Sequence, residues 1–293
     1  MSRLGASQGG VVVYRRLDAR VRQAAVYKRH GLLRSWVLSA IDKSHPRPLA
    51  PAPGMTPMGW SARRLNKLAA LLPAARYLEV GVWYGYTLEN VRIPERWGVD
   101  PAPLFDLGRL PRGNLVFPGS SDEFFEKLDA TLRFDLVFLD GLHTWQQTYV
   151  DLINSLRHLS DAGAILIDDV IPSDKYSAIP DQERAMRERR SAGILDSRWH
   201  GDVFKVLFVV RDHVPGLRWC VIDEQQGNPQ ALVWRDPKAT TPLAMRRVLS
   251  PAVYNQLAYH EAFPNGDPPQ FFNVTDEDSA IDAYAMDVAK LHQ

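Results

Sequence analysis

The chain has 293 residues, 45% hydrophobic and 24% charged, enough to bury one large core or one core with a small appended subdomain. Lys plus Arg number 35 against 34 Asp plus Glu, so no global field favours nucleic acid or an acidic membrane, and such a partner would need a local patch. The single cysteine, Cys220, excludes an internal disulfide and a cysteine-rich zinc site.

The N-terminus carries no uninterrupted apolar stretch of the signal-peptide kind, and no run approaches the roughly 20 apolar residues of a membrane span. A reducing, cytoplasmic setting is the expectation. Residues 1–10 read as disordered. From Val11 to Ile41, Leu17, Val21 and Ala24, then Leu32, Trp36 and Ala40, recur at helical spacing among Arg15, Arg16, Arg20, Arg22, Lys28, Arg29 and Arg34, which predicts one or two amphipathic helices. Their basic face suits an anionic surface or a phosphorylated substrate. The plainer reading is the solvated side of a helix packed on its own core or on a second subunit, and a homo-oligomer is expected. The prolines of 46–57 make an extended connector. Met55, Met58 and Trp60 then form either a lid over substrate or plain core cover, and Ser61 is placed to cap a helix running to Leu72.

The stretch Leu78 to Thr87 organises the rest of the chain. An apolar run (Tyr77, Leu78, Val80) reads as a buried strand, Gly81 and Gly85 come next, and a helix-compatible segment begins at Leu88. Glycines let the chain turn sharply and let a ligand approach the backbone, while the first N–H groups of the helix face whatever sits above the strand end. A second short strand (Trp97 to Val99) ends in Asp100, whose carboxylate can accept from both hydroxyls of a ribose, so a nucleoside is the natural ligand. Val82 and Trp83 stand where a dinucleotide fingerprint needs bare backbone.

Further strands are predicted over Leu115 to Phe117, Phe134 to Leu139 and Gly163 to Ile167, separated by helices over Glu123 to Leu128 and Thr144 to Leu159. Such alternation implies a parallel sheet with right-handed crossovers and chemistry at its carboxyl end. The segment 172–200 reads as a mobile loop with a short helix. Gly201 to Lys205 opens a helix through Val210, and Leu217 to Ile222 pairs with Ala231 to Trp234 as an antiparallel hairpin. Helices near Pro242 to Leu257 and Ala280 to Leu291 close the chain.

Asp140 ends one strand, and Asp168 with Asp169 ends its expected neighbour. Adjacent parallel strands lie about 4.8 Å apart, so these acids can converge on one hard cation, magnesium first, which would hold and acidify a hydroxyl. Alternatively they cap loops. His143, three residues past Asp140, is a candidate general base for that hydroxyl or a structural histidine. His200 is an outside candidate for substrate contact.

The acid-x-Gly-x-x-x-Gly pattern of Glu79, Gly81 and Gly85, followed by Asp100, resembles motif I of class I S-adenosylmethionine-dependent methyltransferases. Residues from about 75 to 172 resemble their metal-dependent small-molecule O-methyltransferases, similar in pattern to catechol O-methyltransferase and closer to the macrocin and mycinamicin sugar enzymes. The resemblance implies a Rossmann-like α/β fold: a mostly parallel seven-stranded sheet with an antiparallel edge hairpin and helices on both faces. It implies S-adenosylmethionine held by Glu79, Gly81, Gly85, Asp100, Ser121 and Asp122, Mg2+ held by Asp140, Asp168 and Asp169, and His143 as base. Trp83 and Tyr84 are bulky for the glycine turn. The expected domains are an N-terminal helical extension and connector (1–60), a methyltransferase domain (61–236) and a C-terminal helical extension (237–293). The expected activity is methyl transfer to a hydroxyl of a sugar or other small natural product. The alternatives are a metal-independent transfer to nitrogen or carboxyl, or a non-catalytic nucleoside-binding protein of the same fold.

Overall fold

The computed structural model describes residues 59–105, 107, 114–224, 228–239 and 251–292. The amphipathic N-terminal helices, the proline connector with Met55 and Met58, and the first part of the helix expected from Pro242 lie outside the described residues.

The buried runs read from the sequence become β1 (Arg76–Val80), β2 (Glu95–Val99), β3 (Leu115–Phe117), β4 (Phe134–Leu139) and β5 (Leu159–Ile167), all parallel. β6 (Leu217–Ile222) and β7 (Gln230–Arg235) form the expected antiparallel hairpin, with β7 antiparallel to β5. One strand more than expected is present. β8 (Val274–Thr275) from the C-terminal region pairs parallel to β6, giving an 8-stranded sheet of order β3-β2-β1-β4-β5-β7-β6-β8.

Both faces of the sheet are covered, which is why the central strands read as continuous apolar runs rather than alternating ones. Along β4, Val137 and Leu139 enter one core while Leu136 and Phe138 enter the other, the period-2 alternation of a strand. The first core is closed by α3 (Ser121–Lys127), α4 (Trp145–Arg157) and α6 (Lys205–His213), through Phe124, Leu152, Leu156, Val206 and Val210. The second is closed by α1 (Trp60–Ala69), α2 (Tyr86–Asn90) and α9 (Glu277–Val288), through Leu65, Leu68, Leu88, Ile281 and Tyr284. Each such fully buried side chain contributes about 1.5–3 kcal/mol.

Gly59, not Ser61, is the N-cap of α1; Ser61 lies inside the helix and its Oγ accepts from Gln230 Nε2 at 2.7 Å. The segment 172–200 is more organised than expected and contains α5 (Gln182–Ser191). The helix expected from Gly201 begins only at Lys205. Short helices α7 (Pro251–Gln256) and α8 (Tyr259–Ala262) precede the final one. Among the described residues no helix is long and apolar enough to cross a membrane.

Candidate active site

Because β1 to β5 are parallel, their carboxyl ends share one edge, and the residues selected from the sequence collect there. Gly81 leaves β1 with φ 89°; a Cβ on it would lie 1.9 Å from the Asp140 carbonyl oxygen, so only glycine lets the β1 and β4 turns touch. Gly85, φ 80°, is the N-cap of α2 and sits against the Phe105 ring. Between them Trp83 adopts φ 46°, a left-handed conformation that costs a bulky residue about 1–2 kcal/mol. Its backbone is pinned on both sides: the N–H donates to Asp100 Oδ2 and the carbonyl accepts from Leu104 N–H, both at 2.8 Å. The indole stays half exposed, against Tyr84.

Asp100 Oδ1 accepts from Ala102 N–H at 2.7 Å. Burial raises its carboxyl while the backbone donors oppose that. Glu79 is fully enclosed; Tyr77 Oη donates to its Oε2 at 2.8 Å, and burial pushes its carboxyl up to about 8. Ser121 and Asp122 open α3 behind a Ser120–Glu123 capping box, and Gln147 Nε2 donates to both at 3.3 Å.

Asp140, His143 and Asp169 each offer one ligand atom within 4.8 Å of the others. Asp168 does not join this group. Its Oδ1 accepts the Asp169 N–H at 2.9 Å and an N–H of Asn228 Nδ2, and Gln230 hydrogen-bonds the same carboxylate. Asp169 leaves β5 at φ 62°, a conformation Asp tolerates better than most residues, and so faces away from its neighbour towards His143. His143 Nδ1 lies 2.9 Å from Asp169 Oδ2 and 3.1 Å from the Trp199 carbonyl oxygen. A carbonyl only accepts, so Nδ1 carries a hydrogen, and in the neutral ring Nε2 then keeps the lone pair. Nε2 lies 3.7 Å from Asp140 Oδ1.

The charges are mutually dependent. Burial opposes protonation of His143, but the Asp169 carboxylate outweighs it and raises the imidazole above its usual value. Burial likewise raises Asp169, yet His143 and its other donors bring it below the carboxylate range. Asp140 moves the other way: burial first, then the charges of Asp168, Asp169, Glu79 and Asp100, hold it well above that range. A cation beside Asp140 would relieve that repulsion, so the carboxylates of Asp140 and Asp169 fit a divalent ion beside the imidazole.

Sequence reasoning missed Trp199, Asn228 and Gln230. Asn228 spans the acidic pair, donating also to Asp169 Oδ1 at 3.3 Å; Gln230 Oε1 accepts from the fully buried Arg64 Nη1 at 2.7 Å. No local pattern marks them, since an isolated Trp, Asn or Gln is ordinary. His200, the outside candidate for substrate contact, lies close by, its Nε2 4.0 Å from Asp169 Oδ1.

Residues 94–170 match a family model described as a methyltransferase domain. No curated protein matches the chain. Among solved structures it is similar to CalS10, an amino pentose methyltransferase from Micromonospora echinaspora involved in calicheamicin biosynthesis, with 25% identity over 40% of this chain and 52% of that one and a TM-score of 0.32. The chain thus spans about half of that protein's length. An O-methyltransferase from Bacillus cereus aligns at 12% identity over 77% and 93% of the two chains, TM-score 0.44. The O-methyltransferase TomG from Streptomyces achromogenes, involved in tomaymycin synthesis, aligns at 15% over 76% and 92%, TM-score 0.39.

Proposed function

We propose that this chain, which carries a methyltransferase domain, is an S-adenosylmethionine-dependent O-methyltransferase in which His143 deprotonates a hydroxyl of a small-molecule acceptor. The observation that carries the reading is the Asp169–His143 pair: with Nδ1–H donated at 2.9 Å to a carboxylate, the opposite ring nitrogen is a free base oriented by a fixed partner. The acceptor oxygen gives its proton to Nε2 and attacks the methyl carbon; the carbon–sulfur bond breaks, and its electron pair stays on sulfur as the neutral thioether. Donor and acceptor need only be aligned, since the sulfonium is already reactive.

On the donor side, Gly81 and Gly85 would admit the methionine portion close to backbone, with Glu79 on the strand just before them, Asp100 would accept from the ribose, and Ser121 with Asp122 would line the adenine side. A divalent cation, magnesium in the first instance, would be held by Asp140 and Asp169 beside His143, and when bound it would acidify the acceptor hydroxyl. Asp168 supports that set through Asn228 and the Asp169 N–H. A sugar or other polyhydroxylated natural product is the proposed acceptor class, on the resemblance of the Asp140-Gly-Leu-His143 segment to the sugar O-methyltransferases. A cytoplasmic homo-oligomer remains part of the proposal.

Calorimetry with S-adenosylmethionine is the first test, and methyl transfer to a panel of glycosides and polyols, with and without EDTA, is the second. Binding together with EDTA-sensitive transfer supports the scheme. Full activity in EDTA with Asp140→Asn harmless would remove the cation and leave His143 acting alone, and absence of any donor binding would remove the enzyme reading altogether.

A further inference from the structure

The segment Trp199–Asp202 holds no part of the proposed chemistry, yet it grips the turn that carries His143. The Trp199 indole stacks on the imidazole, centroids 4.5 Å apart and planes 9° from parallel, while its carbonyl takes the Nδ1–H at 3.1 Å. Gly201, φ 59°, passes so close that a Cβ would lie 1.8 Å from the His143 carbonyl oxygen. Asp202 N–H donates to that same carbonyl at 3.3 Å, and Asp202 Oδ1 accepts from Trp145 N–H at 2.9 Å, capping a helix whose own N-cap, Thr144, makes no side-chain cap.

We infer that Trp199, Gly201 and Asp202 are positioning residues that hold His143 in the Nδ1–H form with Nε2 free. Two acceptors, the Asp169 carboxylate and the Trp199 carbonyl, share one hydrogen; a flip of the ring or a change of tautomer would leave both unmet inside a buried site. The stacked indole blocks one ring face, so the imidazole meets an acceptor along its Nε2 edge. The clamp is itself anchored. Trp199 Nε1 donates to the Ile179 carbonyl at 2.7 Å, the N–H groups of His200 and Gly201 donate to the Ser177 carbonyl at 3.0 and 2.9 Å, and the buried Arg189 guanidinium ties Asp174 Oδ2 at 2.6 Å and the Arg198 carbonyl into the same segment. Packing and hydrogen bonding of this kind are what keep a functional side chain in one geometry.

The inference rests on His143 as the base, but its test is independent of turnover. In 15N-labelled protein at alkaline pH, where the imidazole is neutral, the His143 ring, assigned by its loss in His143→Gln, is expected to show one protonated and one unprotonated nitrogen. In Trp199→Ala the two resonances are expected to converge towards the tautomer average, with S-adenosylmethionine affinity within twofold of wild type. Trp199→Phe, which keeps a stacking ring, is expected to recover most of the separation, and Gly201→Ala to lose it. An unchanged pair of resonances in folded Trp199→Ala overturns the clamp and leaves the base assignment untouched. Convergence in Trp199→Ala alongside full turnover by His143→Gln supports the clamp and removes the base.

Discussion

Gly81 and the Asp140 carbonyl approach so closely that no side chain fits between them: an added Cβ would sit 1.9 Å from the oxygen. This contact joins the turn proposed for the methyl donor to the turn proposed for proton transfer. Gly81→Ala must both leave its left-handed φ of 89° and push the β4 turn away, so we expect a loss of about 2–4 kcal/mol, a fall in Tm of roughly 5–15 °C, and weakened S-adenosylmethionine binding. Gly59→Ala, where an added Cβ meets nothing within 4 Å and only the N-cap preference of α1 is lost, is the comparison and should cost no more than about 1 kcal/mol. Equal Tm values for the two variants would show that the turns separate freely.

Asp169→Asn keeps the volume of the side chain but offers His143 an amide that can present its N–H₂ to the ring and favour the wrong tautomer. A loss of turnover on the order of 10⁴-fold is expected, the scale known for that change in a Ser-His-Asp triad, and His143→Ala should lose as much. Titration calorimetry should find cofactor affinity nearly unchanged in both, because in the proposed role the imidazole is needed only when the hydroxyl ionises. Parallel losses of affinity and turnover would instead make the pair part of the binding site.

Asp100 accepts from the N–H groups of Trp83 and Ala102 and holds the strained Trp83 in place. Asp100→Ala removes both the proposed ribose acceptor and this tether, and should weaken S-adenosylmethionine by roughly 10–100-fold, or about 1.4–2.7 kcal/mol. An unchanged dissociation constant would dismiss the ribose role.

Glu79 supplies a pH prediction. Its carboxyl is pushed from an ordinary 4.5 to about 8 in the folded protein, so between those values the folded form binds more protons than the unfolded one. The stabilisation is fully present below about 4.5, declines as pH rises, and is gone above about 8. Glu79→Gln keeps an acceptor for the Tyr77 hydroxyl without the titration. In the absence of cofactor, its Tm relative to wild type should climb steadily from pH 5 to pH 8; curves that run parallel over that range would mean the carboxyl is not held neutral.

The parts of the site legible in the sequence are those built from neighbours along the chain. Glu79, Gly81 and Gly85 form a strand end and its turn, and Asp100, Asp140 and the Asp168–Asp169 pair mark strand ends because apolar runs stop there. Local backbone chemistry dictates such features: a buried parallel strand must end in a turn, and the turn needs glycine where φ is positive. Orientation was not legible. Asp168 and Asp169 differ in nothing the sequence displays, yet the left-handed backbone at Asp169, φ 62°, sends one carboxylate to His143 and leaves the other to Asn228 and Gln230. The Trp199 carbonyl that shares the His143 hydrogen comes from 56 residues along the chain, and Asn228 reaches Asp168 across 60. Side chains like these acquire their partners only when separate strands and loops pack at one sheet edge, because a hydrogen bond depends on distance and direction in space rather than on order in the chain.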